Sequence, residues 1–374
     1  MRKVALESLL HDRGKFLGAV AGVSFAATLL LLQVGIYVGF LETSALLVGR
    51  LGGDIWVMAR GTEVIDNGEP LSSGSRARVA SHGCVRAVRG LVFSFGGVRK
   101  SNGALDAVQL VGFERGPTLL PWSLATGLPE DLHAPDRVSV DTIDLAKLRL
   151  PDDPRGARLE LGRHTVQVAA VTRGIRSFTL TPYVFADIAT ARRVLGLADG
   201  QAHYWVVDLA DPSCGPRVAR EIEERHPDLQ AWTSDTFRKK TEDYWVASSG
   251  AGVALGFSAL LGLIVGVVIV GQTLYSVTRE HERELATLKA VGATRGELAS
   301  FVAWQAALLA VLGGATGLVF AFVGQHLLAE AGLMVVLSPR VLALAGVAVA
   351  GMCATASLGS VRRILRLDAA EVFR

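Results

Sequence analysis

The run His281-Glu282-Arg283-Glu284-Leu285 carries residue types that hold zinc in peptidases. There, two histidines four residues apart on one helix face ligate the metal, and the glutamate after the first activates water. Here Leu285 stands where the second histidine belongs, so one imidazole is missing and no zinc site follows. Gly14-Lys15 matches the end of a phosphate-cradling loop, but Phe16 replaces the Ser or Thr that would meet Mg²⁺. No other loop of that kind occurs, so any ATP energy has to come from a partner. Ser139, Asp141, Asp144, His164 and His203 include the types of a nucleophile, base and acid. Such residues occur in any domain of this size, and these single out no reaction. Cys84, Cys214 and Cys353 have neither zinc-ligand spacing nor a Cys-x-x-Cys motif, which leaves one Cys84–Cys214 bridge as an open option. The expectation is a chain with no catalytic residue, no metal ligand and no cofactor-binding residue.

The elements that dominate the chain are apolar. Half of the 374 residues are hydrophobic, and the mean hydropathy is +0.38. The net charge of +3 from 38 basic and 35 acidic residues gives no support to nucleic-acid binding. Residues 1–15 form a basic, amphipathic lead-in, and no charged residue follows from Phe16 to Leu41. That run exceeds the roughly 20 residues needed to cross a hydrocarbon core of about 30 Å. It is also longer than a signal-peptide core and lacks a clear cleavage site, so it reads as an anchor. Further uncharged runs cover 244–278, 298–329 and 341–361. Four transmembrane helices result, because lipid leaves no other way to satisfy the backbone of such runs. In the second, Val253 to Thr273 is the membrane part and Tyr244-Trp245 belong to an outward extension. Gln33, Gln272 and His326 are the large polar side chains read within the spans, and no Asp, Glu, Lys or Arg lies mid-span to couple ions.

Orientation follows from Lys and Arg in short flanks. The lead-in carries Arg2, Lys3, Arg13 and Lys15, the 279–297 segment Arg279, Arg283, Lys289 and Arg295, and the 362–374 tail Arg362, Arg363, Arg366 and Arg374. The 330–340 hairpin has only Arg340. Both termini and 279–297 are therefore expected in the cytoplasm, with 42–243 and 330–340 outside. The 25 basic residues of 42–243 do not oppose this, since long domains translocate largely regardless of charge. The pairs Gly18/Gly22, Gly262/Gly266 and Gly313/Gly317 let helix backbones approach, in a dimer seam or within one subunit.

Residues 42–243 have soluble composition and read as one α+β domain in two lobes. Strand alternation marks Asp54–Ala59, Ala107–Phe113, Arg158–Leu161, His164–Val171 and His203–Leu209, and helical patterning marks Arg76–Ala87, Thr142–Leu148, Ile188–Leu195 and Pro216–Arg225. Trp56, Trp122, Trp205 and Trp232 are expected in its core. Two apolar patches, Phe93–Gly97 and Ile175–Leu180, are candidates to dock a partner. Thr236–Trp245 reads as a helix running unbroken into the second span, able to transmit force.

One segment now stands out: Glu284-Leu-Ala-Thr-Leu-Lys-Ala-Val-Gly-Ala-Thr294, after the second of four spans, with the large outer domain between the first two. This run and layout resemble the FtsX/MacB-like ABC transporter permeases, and the tail Arg362–Arg374 resembles their C-terminal ending, with Ala369 where a proline is common. The first span's end, Leu32–Leu41, and then Gly53-Asp-Ile-Trp-Val look most like the DevC-like branch of exporter permeases. The resemblance covers essentially the whole chain, with no nucleotide-binding domain fused to it.

The resemblance implies an α-helical membrane protein of four transmembrane helices with a MacB-like periplasmic core domain. It implies a homodimer in the inner membrane, docked through 279–297 by a separate cytoplasmic ATPase that holds ATP and Mg²⁺. Glu282, Arg283, Glu284 and Lys289 would offer charges to that ATPase, with Leu285, Leu288 and Gly292 on the same coupling helix. Export of lipid, glycolipid or other hydrophobic cargo through a periplasmic adaptor and outer-membrane duct is the favoured role. An FtsX-type regulator of a periplasmic hydrolase and a Lol-type lipoprotein-releasing permease are the alternatives.

Overall fold

The computed structural model describes residues 13–100, 102–116, 121–248, 250–280, 287, 289, 293–330 and 332–366. They fall into two compact units, one comprising Phe40–Gly250 and the other the remainder. In chain order the elements are α1 (Arg13–Ser44), α2 (Leu46–Arg50), β1 (Ile55–Ala59), α3 (Ser73–Ala80), β2 (Val85–Arg99), β3 (Leu105–Phe113), β4 (Leu124–Thr126), β5 (Arg137–Asp141), α4 (Leu145–Leu148), β6 (Arg158–Leu161) and β7 (His164–Thr172). There follow β8 (Tyr183–Asp187), α5 (Ile188–Leu195), β9 (Tyr204–Leu209), α6 (Gly215–Arg225), β10 (Leu229–Thr233), α7 (Ser234–Ser248), α8 (Ala251–Glu280), α9 (Arg295–Glu330) and α10 (Pro339–Arg366).

Among the described residues four helices are long and apolar enough to cross a membrane, over Phe16–Ser44, Gly252–Gln272, Gly296–Glu330 and Pro339–Gly359. They share a core of small and branched side chains: Ala19, Val23, Ala26 and Ala27 of α1, Val270 of α8, Leu309 of α9, Val349 and Met352 of α10. Small residues suit this core because helices in lipid associate by close van der Waals packing rather than by water exclusion.

In the other unit all ten strands join one hydrogen-bonded sheet in the order β10-β1-β9-β2-β3-β8-β5-β7-β4, with β6 bridging β2 and β7. The pairings β2–β3, β3–β8, β8–β5, β5–β7, β7–β6 and β6–β2 close on themselves in a six-strand ring. The expected two lobes are thus not separately folded. The 15-residue β2 pairs with β9 through Val85–Leu91 and with β3 through Leu91–Arg99, so one strand serves both halves. Successive residues along a strand point to opposite faces, and both faces here are covered. Ile55 and Val57 of β1 join the core that takes Val79 of α3 and Val218 and Ile222 of α6. Trp56 and Met58 join the opposite core, which takes Leu47 of α2 and Phe237 of α7.

Three sequence expectations change. The helix over Arg76–Ala87 stops at Ala80, Cys84 in the following turn adopts a left-handed backbone (φ 75°), and β2 begins at Val85. Strands β2, β4, β5, β8 and β10 lie where none was expected. In β5 and β8, and over Gly90–Phe93 of β2, buried positions run continuously, which hides the alternation of a half-exposed strand. The helix expected to run unbroken through Trp245 into the second span is instead two helices. α7 ends at Ser248, α8 begins at Ala251, and Gly250 between them has φ +68°. Glycine adopts that conformation without a Cβ penalty, and an α-helix does not continue through it.

Candidate functional site

The glycine pairs seam the four-helix bundle. A Cβ built on Gly22 of α1 would lie 2.6 Å from Ile269 of α8, and one on Gly262 of α8 would lie 2.8 Å from Gln33 Oε1 of α1. Gly266 sits against Ala26 of α1 at 2.9 Å and against the sulfur of Met352 in α10. On α9, a Cβ on Gly313 would meet Val23, and one on Gly317 would lie 2.7 Å from Ala27 Cβ and 2.8 Å from the Ser24 carbonyl. Distances this short admit no side chain, so five of the six glycines mark helix–helix contacts inside one chain. Gly18 differs, with nothing within 4 Å among the described residues. Helix α1 is therefore gripped by α8 on one side and α9 on the other. Thr28 adds a polar clasp, its hydroxyl lying 2.7 Å from the Ser24 carbonyl and 3.1 Å from the Gly317 carbonyl.

The segment that joins α8 to α9 is where the sequence placed the ATPase contact. Glu282, Arg283, Glu284, Leu285, Leu288 and Gly292 lie outside the described residues, and of the named set Lys289 alone is described, half-buried. The segment's C-terminal end is well defined. Thr294 and Glu297 form a capping box at the start of α9: the Thr294 backbone N–H and hydroxyl donate to Glu297 Oε2 at 2.8 and 2.9 Å, and the Glu297 N–H donates back to the Thr294 hydroxyl at 3.3 Å. Ala293 packs beside Leu298, Phe301 and Val302 of α9 and Val361 of α10. The motif's closing Ala-Thr thus fixes where α9 starts, and the Thr-x-x-Glu spacing was the signal for it.

Within the folded domain the two chain segments that lead to the membrane helices meet. Phe40, in the last turns of α1, contacts Phe178 at 5.6 Å between ring centroids, and Phe178 contacts Trp245 of α7 at 4.6 Å. The Trp245 indole N–H donates to Asp66 Oδ2 at 3.1 Å. Burial pushes the Asp66 carboxyl up to about 6, against the Trp245 hydrogen bond, which favours the ionised form. Phe178 belongs to the Ile175–Leu180 patch expected to dock a partner; its half-buried ring lies against Phe40 and Trp245, and Leu180 of the same patch is exposed. Above it Phe237 of α7 is fully buried among Trp56, Tyr204 and Trp232, at centroid distances of 5.4, 6.0 and 5.7 Å. Trp205 is equally buried, its indole N–H donating to the Ser75 hydroxyl at 2.7 Å.

The candidate triad residues are placed in separate surroundings. Asp141 accepts from the Ile143, Gly174 and Ile175 backbone N–H groups and from the Thr172 hydroxyl, which ties the loop after β7 to the end of β5. Asp144, close to Asp141, is pushed up to about 7 mainly by burial. Ser139 is fully buried, His164 is exposed, and His203 binds the Phe93 backbone through Nδ1. No hydrogen bond joins a serine, an aspartate and a histidine of this set. Cys84 and Cys214 form a disulfide. Gln305 and Gln325 of α9 escaped the reading of the spans: Gln305 is buried, and the Gln325 side chain donates to the Val335 carbonyl at 2.8 Å.

Two protein-family models match the chain. The MacB-like periplasmic core domain matches residues 16–225, more than half of the chain, and the FtsX-like permease C-terminal region matches residues 256–369. A search of curated proteins returned no match. Among solved structures, the periplasmic region of MacB from Actinobacillus actinomycetemcomitans is similar at 14% identity and a TM-score of 0.38, covering 53% of this chain and 96% of that one. The extracellular domain of the noncanonic ABC-type transporter YknZ from Gram-positive bacteria is similar at 13% identity and a TM-score of 0.37, covering 48% and 98%. With four membrane-crossing helices and an α+β domain between the first and the rest, the chain belongs to the FtsX/MacB-like ABC transporter permeases.

Proposed function

We propose that this chain is the non-catalytic permease subunit of an ATP-driven exporter that works by mechanotransmission. Two copies form a homodimer in the bacterial inner membrane, and a separate ATPase, holding ATP and Mg²⁺, docks on 279–297. Glu282, Arg283, Glu284 and Lys289 meet charges on the ATPase, Leu285 and Leu288 fill its groove, and Gly292 belongs to the same coupling set. Closure of the ATPases moves the outer domains, which drive lipid, glycolipid or other hydrophobic cargo through a periplasmic adaptor and outer-membrane duct, as in the DevC-like branch.

The observation that carries this reading is the double grip on α1. The docking segment leaves α8 and enters α9, and both helices are seamed to α1 at Gly262, Gly266, Gly313 and Gly317. A push on that segment therefore reaches α1 from two sides. Helix α1 is unbroken from Arg13 to Ser44, while the connection between α7 and α8 is interrupted at Gly250. Force passes outward along α1, and the Gly250 joint lets α8 tilt. The Cys84–Cys214 disulfide supports placing the domain outside the cytoplasm, since such bonds persist in oxidising compartments.

The test is ATP hydrolysis by the reconstituted complex. Glu284→Lys or Leu288→Asp should abolish permease-stimulated hydrolysis while membrane insertion stays intact. Normal stimulation in both variants rules the docking assignment out. A pull-down of the intact complex from membranes, read by mass spectrometry, should recover an ATPase together with an adaptor, and recovery with no ATPase overturns the whole reading.

A further inference from the structure

Helix α6 is pinned at both ends by a single turn. Cys214 precedes the helix and is bonded to Cys84, while His226 follows its last residue and faces His82. The turn between α3 and β2 thus carries both anchors, two residues apart. The disulfide accounts for one. The other is a pair of imidazoles whose Nε2 atoms face each other at 3.4 Å, with the rings at 87°. The His82 side chain is 1% exposed, and His226 is half-buried, so the gap between them is open from one side.

Around this pair the charges are sorted. The Glu221 carboxylate lies 3.8 Å from His82 Nδ1 and is itself held by Arg217 at 2.7 Å. Asp228, near His226, is engaged by both Arg78 guanidinium nitrogens, at 2.9 and 2.6 Å. Arg225 adds positive charge and, after burial, is the main influence that holds His82 below its ordinary value. Glu221 lies on the Nδ1 side of His82 at 3.8 Å, while Nε2 is the ring atom that faces His226. That leaves His82 Nε2 aimed at the gap. A carboxylate behind a histidine whose other nitrogen faces outward is the arrangement that orients metal-bound imidazoles.

We propose that His82 and His226 bind a divalent transition-metal ion of the Zn²⁺ or Cu²⁺ type through their Nε2 atoms, with Glu221 as the positioning residue. Two nitrogens each about 2.0–2.1 Å from one tetrahedral Zn²⁺ stand about 3.4 Å apart, so the pair fits the ion with little movement. Neutral imidazole suits both metals, and Cu²⁺ binds the more tightly of the two. Among the described residues no group of three His, Cys, Asp or Glu surrounds a common point. Water therefore completes the coordination, and the site is an accessible clamp that closes the second end of α6.

The experiment uses the full chain in detergent, without a polyhistidine tag, and titrates Zn²⁺ against a fluorescent zinc indicator at neutral pH. One ion per chain is expected to bind and to raise Tm. His226→Ala should lose it, and Glu221→Gln should weaken it by roughly 10–100-fold while keeping the fold. Cu²⁺ added in place of Zn²⁺ should give an electron paramagnetic resonance spectrum with coupling to two nitrogens, reduced to one in His226→Ala. Zn²⁺ binding and a Tm shift that are the same in His226→Ala as in the unaltered chain would overturn the proposal, as would no binding in either. The imidazoles would then be a plain hydrogen-bonded pair.

Discussion

The indole N–H of Trp245 points at the carboxylate of Asp66, 3.1 Å away, and this bond ties the end of α7 to the short turn that follows β1. The same turn is held from the other side by Tyr204, whose hydroxyl lies 2.8 Å from the Ile65 carbonyl and 3.2 Å from the Val64 carbonyl. Asp66 therefore sits among Trp245, Tyr183 and Tyr204, with no cation to offset its charge among the causes of its shift.

Asp66 should make the domain pH-sensitive. Its pKa is raised to about 6 in the folded chain from 3.8, so as pH falls the folded state takes up the proton first. The stability this contributes is fully present below about pH 4 and is lost as pH rises through 6, by at most roughly 3 kcal/mol. Asp66→Asn keeps an acceptor for Trp245 and removes the titration. Its Tm advantage over the unaltered chain should grow between pH 4 and 6. A difference that stays constant across that range would refute the assignment. Trp245→Phe, which deletes the donor to the ionised form, should move the transition to higher pH.

Phe237 is the anchor of α7. Its ring is fully buried among Trp56, Tyr204 and Trp232, and its neighbours on α7, Lys239 and Lys240, face outward. Phe237→Ala deletes a core aromatic ring and should cost about 3–5 kcal/mol. Urea unfolding of the full chain in detergent, followed by tryptophan fluorescence, measures it directly, because Trp56 and Trp232 report on the cavity.

How much of this was legible beforehand depended on the solvent each segment meets. The four spans were readable because lipid demands an uncharged run and a helix, so composition alone locates them. Helix α5 was readable to the residue: Asp187 caps its start by accepting from the Ala189 N–H, and Gly196 closes it in the left-handed region. Strand β2 was not, since its inner stretch Gly90–Phe93 is buried on both faces and gives no alternation. The Gly250 break lay hidden among the many glycines of an apolar run. For the glycine pairs the spacing could say that backbones approach but not which ones, because partner choice depends on helices far apart in sequence. The coupling residues 282–285, 288 and 292 lie outside the described residues, so their role rests on the motif itself.

The disulfide gives a test of orientation. It closes a long loop, with a sequence separation of 130 between the two cysteines, and such a bond stabilises by about 2–4 kcal/mol. The double change Cys84→Ser with Cys214→Ser should lower Tm accordingly. After reduction, a membrane-impermeant maleimide added to spheroplasts should label both cysteines of the unaltered chain. Labelling confined to inverted vesicles would place the domain on the opposite side from the one proposed.

The contrast between Gly317 and Gly18 separates packing within a chain from contact with a second copy. A side chain at Gly317 would collide with Ala27 and the Ser24 backbone, both on a rigid helix that cannot recede without parting α1 from α9. Gly317→Leu should therefore destabilise the bundle by more than the 1–3 kcal/mol typical of overpacking, and should lower Tm in detergent even for an isolated chain. At Gly18 nothing lies within 4 Å among the described residues, so Gly18→Leu should leave that Tm unchanged. If the two copies meet along the face that carries Gly18, the same change should shift the chain from dimer to monomer in crosslinking within native membranes. Equal Tm losses in the two variants would show that Gly18 is packed within its own chain, and an unchanged dimer in Gly18→Leu would move the seam elsewhere. Helix α8 is then the next candidate, because only 17% of its span is buried, against 44% for α1.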